Sequence, residues 1–198
     1  MRNVEWTKRE LVPHLHEQNP DALFYDTSTN APLAGDFDYV TDAREFSPFI
    51  PYGGIPVPGR RELSDSVEGV WQGLKIIKGS IDTAYFRGKG RKRKGQPSGH
   101  LYFDKVLSYI PARERIYVPT YTFMFNKRAP ASLLHQILTL AGNNTQQYFF
   151  DVDKNQDIRN TSSPLSHAAV LVQLINQRLQ IQTPQLESQP VDRFQAPE

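Results

Sequence analysis

The stretch SDSVEGVWQGLKIIKG, residues 64–79, decides how this chain is read. Successive residues of a helix turn by roughly 100°. On that spacing Val67, Val70, Trp71, Leu74 and Ile77 fall on one arc, and Glu68, Gln72, Lys75 and Gly79 form a narrow stripe beside it. Gly69 and Gly73 lie on the far side of the stripe. An interior glycine costs a helix about 1 kcal/mol relative to alanine. Two of them, four apart, predict a flat face that another backbone or a ligand approaches closely. The polar stripe has two readings. In one it is an ordinary solvated face. In the other, apolar packing on one side and close approach on the other sink it into a cleft, where Glu68 is a shielded carboxyl of tunable acidity. Either way the periodicity predicts a helix over 64–79, capped by Ser64 or Asp65.

Upstream, residues 3–18 read as a short helix with Trp6, Leu11 and His14 on one side and Pro13 limiting it. Leu23, Phe24 and Tyr25 read as a strand. FSPFIPYGGIPVPGRR, residues 46–61, is dense in Pro and Gly and reads as an extended, ordered loop. Downstream, residues 101–110 read as helical. A further helix begins near Arg113 and is kinked or restarted by Pro119. A third spans 131–141 and stops at Gly142-Asn143. QYFFDVD, residues 147–153, reads as a strand leaving into a polar loop. The clearest helix runs over 166–180, with Ser163 or Ser166 as its cap. Residues 183–198 are rich in Gln, Pro and Glu and read as a loose tail after a single domain over 1–182. The fold class expected is therefore α+β, helix-dominated, with a small sheet.

The chain has 198 residues, 38% of them hydrophobic, with eleven Phe and nine Tyr to fill a core. Cys is absent, which excludes disulfides, thiol nucleophiles and cysteine-ligated metal. No apolar run approaches membrane-spanning length, and MRNVEWTKRE carries no apolar signal core. A cytoplasmic protein without membrane partners is expected. The net charge of +2 conceals one basic run, RGKGRKRKG, residues 87–95. It holds six of the 23 cations (Arg87, Lys89, Arg91, Lys92, Arg93, Lys94) and no acid, so the remaining 17 face 21 anions. With Tyr85, Phe86, Tyr102 and Phe103 close by in sequence, the run suits single-stranded nucleic acid, although such aromatics also serve as core. It is not a phosphate-binding P-loop, because no G-K-[ST] follows in phase.

Several blocks together resemble the NADAR superfamily of N-glycosidases, small proteins linked to NAD and ADP-ribose. FSPF precedes a Pro/Gly loop, and then S-x-E-x-x-W-Q-x-x-K places Ser66, Glu68, Trp71, Gln72 and Lys75 on the helix motif of that superfamily. A basic, glycine-containing stretch follows here as there, ahead of His100, Tyr102 and Phe103. Tyr148-Phe149-Phe150-Asp151 stands where the superfamily has Y-W-G-D. Asn160 and PLSHA stand near its last helix. The chain departs from the pattern at Gly69, where the superfamily has His, and at Phe149 and Phe150, where it has Trp and Gly. The loop DKNQDIRNTSS replaces a glycine-rich one.

The resemblance implies cleavage of the bond between a base and ribose in a nucleotide, an ADP-ribose-linked substrate or a modified base, without metal or cofactor. Such cleavage builds positive charge on the sugar, which a fixed carboxylate stabilises. Glu68 is the first candidate and Asp151 the second. Gln72 and Lys75 would bind substrate from the helix. Arg87, Lys89 or Arg91 would hold a phosphate. Phe149 or Tyr102 would stack on the leaving base, and His100 or His167 would protonate a purine nitrogen. Each has a plainer role. Asp151 opens D-V-D-K-N-Q-D, which has calcium-loop spacing at first sight, but Gln156 and Ser162 stand where such a loop requires Gly and Glu, leaving an Asp-rich turn. His167 equally caps or packs a helix start. Two other functions remain open on sequence: a nucleic-acid-binding module using residues 87–95, and an inactive nucleotide sensor.

Overall fold

A computed structural model describes residues 3–29 and 36–186. Its centre is a four-stranded sheet formed by β1 (Val4–Trp6), β2 (Leu23–Asp26), β3 (Val40–Asp42) and β9 (Gln147–Phe150). The order is β1-β9-β2-β3 and every pairing is parallel. The last strand in sequence is therefore wedged between the first two. Val4 pairs with Gln147 and Asp26 with Phe150. Alternation along the strands buries both faces, as a parallel sheet requires. Val4, Tyr25 and Phe149 face the main core, and Phe24, Val40 and Phe150 face a smaller one closed by Val12 and Ala22. The Tyr25 and Phe149 rings stack at 4.6 Å.

The remaining elements make the fold α+β. A two-stranded ribbon, β4 (Ile55–Pro56) with β5 (Leu63–Ser64), precedes helix α2 (Val67–Gly73). Strands β6 (Lys75–Ile76), β7 (Gly99–Tyr102) and β8 (Lys105–Leu107) form an antiparallel sheet. Helices α1 (Val12–Gln18), α3 (Tyr109–Ala112), α4 (Val118–Lys127), α5 (Ala131–Gly142) and α6 (His167–Leu186) complete the layers. Among the described residues no helix is long and apolar enough to cross a membrane.

Several sequence expectations are corrected. Residues 3–18 are not one helix. Val4–Trp6 alternates buried and exposed positions and pairs with β9, and the helix starts only at Val12, with Pro13 in its first turn. The helix expected over 64–79 is seven residues long. Its cap is Ser66, whose hydroxyl accepts from the Gly69 N–H at 3.0 Å, and the chain turns into β6 at Lys75. It is also not amphipathic, because all seven of its residues are buried. Residues 101–107 belong to a hairpin, not a helix, and of the expected stretch 101–110 only Tyr109 and Ile110 are helical, at the start of α3. Tyr102 pairs with Lys105, and Phe103 turns the corner at φ 56°. Helix α6 runs six residues past Gln180, so residues 183–186 of the expected tail are helical; residues 187–198 lie outside the described residues.

Two expectations have a local counterpart in the structure. Pro119, which has no N–H to donate, sits in the first turn of α4, where an unbroken helical path changes from π to α. Between α3 and α4 the chain widens into a π-helical turn, Arg113–Tyr117, that directs Arg113, Ile116 and Tyr117 inward. The two glycines of α2 do mark close approach. A Cβ at Gly69 would lie 2.7 Å from the Tyr85 carbonyl oxygen, and one at Gly73 would lie 2.3 Å from the Phe86 ring. Thr83–Phe86, a 3-10 turn, thus packs directly against the α2 backbone. Phe86 is 1% exposed and has no space to yield. Gly73→Ala should destabilise the protein by about 1–3 kcal/mol, despite alanine's better helix propensity. Urea unfolding measures this, and an unchanged midpoint would contradict the packing described.

Candidate functional site

A cavity of about 240 Å³ opens where the sheet, α2 and the π-helical turn converge. Strands β2 and β9 leave the sheet side by side, so Ser28 and Thr29 border it next to Val152 and Asp153. This is the carboxyl edge of parallel strands, where open sheets of this kind commonly receive ligands. Helix α2 contributes Glu68, Trp71 and Gln72, and β6 contributes Lys75. Phe49, Tyr109 and Tyr117 add aromatic walls with Trp71.

Glu68 is 6% exposed, and its Oε1 accepts from Gln72 Nε2 at 2.6 Å. Burial pushes its carboxyl above the ordinary range. The Gln72 hydrogen bond and the charges of Lys75, Lys92 and His167 oppose that push without cancelling it. Gln72 is held in turn, since its Oε1 accepts from the Arg93 backbone N–H at 3.0 Å. The basic run passes directly over this pair. The Gly90 N–H donates to the Phe49 carbonyl, and a Cβ at Gly90 would lie 2.7 Å from Glu68 Cβ. Glycine is needed there because the loop covers the carboxyl. The polar stripe of α2 is therefore enclosed, and Lys75 joins it from a strand. Burial lowers the affinity of the Lys75 amine for its proton, against the attraction of Glu68.

The basic side chains divide. Lys92 borders the cavity. Arg93 donates to the carbonyls of Lys75 at 2.7 Å and Ser80 at 3.3 Å. Arg91 lies 4.6 Å over the Tyr85 ring. Arg87, Lys89 and Arg91, the phosphate candidates, are exposed and do not border the cavity; Lys92, two residues from the glycine contact, does.

The second carboxyl in the cavity is Asp153, not Asp151. Burial raises the Asp153 pKa, and the Asp151 charge adds to the effect. Asp151 stands behind the wall as an acceptor for four donors. His167 Nδ1 lies 2.8 Å from its Oδ2, which also accepts from Ser166 Oγ and the Ala168 N–H, both at 3.0 Å. Its Oδ1 accepts from the Asp153 N–H at 2.7 Å. His167 Nε2 lies 3.0 Å from the Thr27 carbonyl oxygen. Both ring nitrogens thus face acceptors, which requires both to carry protons. Burial opposes that charge, but the Asp151 carboxylate and the two hydrogen bonds outweigh it and raise the His167 pKa. Burial likewise opposes ionisation of Asp151, and the same pairing outweighs it and lowers the Asp151 pKa. His167 borders the cavity as a fixed cation with no free nitrogen for proton transfer.

Three further candidates are placed elsewhere. Phe149 is fully buried in the sheet against Tyr25 and never reaches the cavity. Tyr102 lies on β7 beside Phe103, also outside it. His100 is buried behind Trp71, stacked at 3.9 Å, and burial and the Lys75 charge push its pKa down to about 3. It is a neutral packing group. The calcium-loop spacing resolves into turns: Asp151, Asn155 and Asp157 each accept the backbone N–H two residues on. Among the described residues no group of three His, Asp or Glu side chains is arranged to hold a metal.

Sequence reasoning missed Arg113. It is 1% exposed, borders the cavity, and donates to the carbonyls of Ile158, Asn160 and Ser163 at 2.6–2.9 Å. It thereby fixes the loop that carries Pro164 and Leu165 to the cavity wall. It also missed Ser28, Thr29 and Asp153. The available signal was the polar run Asp26-Thr27-Ser28-Thr29 directly after an apolar strand.

The buried pair sets a pH dependence. The lowered Asp151 pKa contributes stability above 3.8, lost as pH falls through the folded value; the raised His167 pKa contributes stability below 6.5, lost as pH rises through the folded value. His167→Gln should therefore be less stable than wild type by roughly 3–5 kcal/mol between those values. The gap should narrow as pH rises past 6.5. Denaturant melts of both proteins across pH measure this; a gap independent of pH would contradict the imidazolium.

Neither a curated protein nor a solved structure matches the chain. A family profile does match it, over residues 7–171, most of the length and every element that borders the cavity except part of the α6 helix beyond Leu171. The chain belongs to that family, described as a family of unknown function (DUF6939).

Proposed function

We propose that this chain is an N-glycosidase of the cytoplasm that cleaves the base–ribose bond of a nucleotide, an ADP-ribose-linked substrate or a modified base. The observation that carries the reading is the Glu68 carboxyl, buried beneath a glycine contact in a cavity walled by Phe49, Trp71, Tyr109 and Tyr117. Aromatic walls suit a planar base, with stacking worth about 1–3 kcal/mol. The volume of about 240 Å³ falls below the roughly 300–1,000 Å³ of drug-sized pockets and suits one base with its sugar. The resemblance of S-x-E-x-x-W-Q-x-x-K to the NADAR superfamily supports the same chemistry.

The chemistry assigned to the site is as follows. The bond between C1′ and the base nitrogen breaks, and its electron pair leaves with the base. Glu68, whose hold on its proton is strengthened by burial, delivers a proton to that base. The carboxylate it becomes then faces the ring cation in a site shielded from water, where the attraction is strong. Water adds to C1′ and its proton passes to a carboxylate, Asp153 or the Glu68 just emptied. Lys75, Lys92 and the His167 cation favour an anionic substrate. The nucleic-acid reading has less support, because Arg93 is engaged by the Lys75 and Ser80 carbonyls and Lys92, although exposed, borders the cavity.

Glu68→Gln should reduce base release by about 10²–10³-fold, followed by chromatography of nucleosides, nucleotides and ADP-ribose conjugates. It should also stabilise the protein at neutral pH. A raised carboxyl pKa penalises folding as pH rises above 4.5, and glutamine escapes that penalty. Undiminished base release in the variant would overturn the proposal. A ligand that raises the melting temperature of wild type without turnover would establish a sensor instead.

A further inference from the structure

Buried polar atoms without a partner are rare, and each calls for an explanation. Among the described residues they are His16 Nδ1, Ser28 Oγ, His100 Nδ1 and Nε2, and Gln147 Oε1. Only Ser28 also borders the cavity. The residue is 2% exposed. Its neighbours are fully engaged. The Ser28 N–H donates to Asp26 Oδ1 at 2.9 Å, the Thr27 carbonyl faces His167, and the Thr29 hydroxyl pairs with that of Ser47. Among the described residues nothing pairs with the Ser28 hydroxyl, and the cavity it borders is where a partner can come from.

Position defines the chemistry of that partner. The Thr27 N–H donates to the Phe150 carbonyl at 3.0 Å, so the ends of β2 and β9 stay paired beyond the strands. Ser28 and Thr29 therefore emerge beside Val152 and Asp153, and all four border the cavity. A serine hydroxyl both donates and accepts, and a carboxyl next to it accepts. Two adjacent hydroxyls of a sugar match that pair. A phosphate matches it poorly, because the Asp153 carboxylate would repel it. Lys75, Lys92 and the aromatic rings of Trp71 and Phe49 belong to β6, α2 and the loops that cover them, and the His167 cation beside Thr27 has both ring nitrogens taken by Asp151 and the Thr27 carbonyl.

We propose that Ser28 is a specificity-determining residue that takes up a ribose hydroxyl, with Asp153 receiving the neighbouring one, so that the ends of β2 and β9 form a sugar subsite selective for a vicinal diol. The proposal deepens the N-glycosidase reading and rests on it for the identity of the sugar. It needs no turnover to be tested.

The test uses the full chain, with D-ribose and 2-deoxy-D-ribose as probes, and compares wild type with Ser28→Ala by thermal unfolding and by titration followed in NMR. Without sugar, Ser28→Ala should melt at a higher temperature, since it removes a buried hydroxyl that bonds to nothing. With sugar, wild type should bind ribose more tightly than 2-deoxyribose. Ser28→Ala should bind ribose about 3- to 10-fold more weakly than wild type does, the size expected for one hydrogen bond, with the preference between sugars reduced to match. A lower melting temperature for the sugar-free variant would show that the hydroxyl is already satisfied and overturn the proposal. So would ribose binding that is absent from wild type or unchanged by the substitution. Ribose binding that depends on Ser28, in a protein that releases no base, would leave the subsite standing and remove the glycosidase. Base release that depends on Glu68 but not on Ser28 would do the reverse.

Discussion

The Asp151 carboxylate, with four donors converging on it, holds the molecule's working parts in place. It stands at the end of the central strand and gathers His167, Ser166, the Ala168 N–H of α6 and the turn leading to Asp153. Through His167 it reaches the Thr27 carbonyl at the end of the neighbouring strand. Through Ser166 it reaches the indole N–H of Trp6, which donates to the same hydroxyl at 2.9 Å. One buried ion pair thus joins three parallel strands to the last helix, and removing either partner would leave the other charged and buried. The cavity lies on the other side of this knot, so its rim inherits the rigidity.

Inside the cavity the electrostatics run the other way. Glu68 and Asp153 are both held away from easy ionisation, Lys75 away from easy protonation, and none has a close ion-pair partner within the described residues. Structural carboxylates are normally satisfied, as Asp151 is. Side chains left poised in a shielded cavity are what proton transfer and charge stabilisation need, at some expense to stability. The separation of the two kinds of acid is set by environment alone: Asp151 and Asp153 are two residues apart and their pKa values move in opposite directions.

The α+β class, the strands at Leu23 and Gln147, and the helix after Pro164 were legible because periodicity and capping residues are local signals. Gly69 and Gly73 reported close packing because only glycine fits beneath the Phe86 ring and the Tyr85 carbonyl. The β1 strand was not legible. Three residues carry little pattern, and their partner lies over 140 positions away in β9. The helix expected to reach Gly79 ended early because β6 gains cross-strand bonds with β7 that periodicity does not reveal. In the site, Glu68, Gln72 and Lys75 were found from one helix motif. Asp153 and Lys92 displaced Asp151 and the outer arginines because side-chain direction at strand ends and in loops depends on tertiary contacts. Phe149 failed as a stacking platform for the same reason: strand alternation turned it into the core.

The central claim is that Glu68 is a shielded carboxyl that resists ionisation. Carbon-13 NMR of its side-chain carboxyl, assigned by comparison with Glu68→Gln and followed from acid to neutral pH, tests it directly. A titration midpoint clearly above the ordinary 4.5 is predicted. A midpoint at or below that value would show a group in contact with water or firmly paired, and would contradict the account.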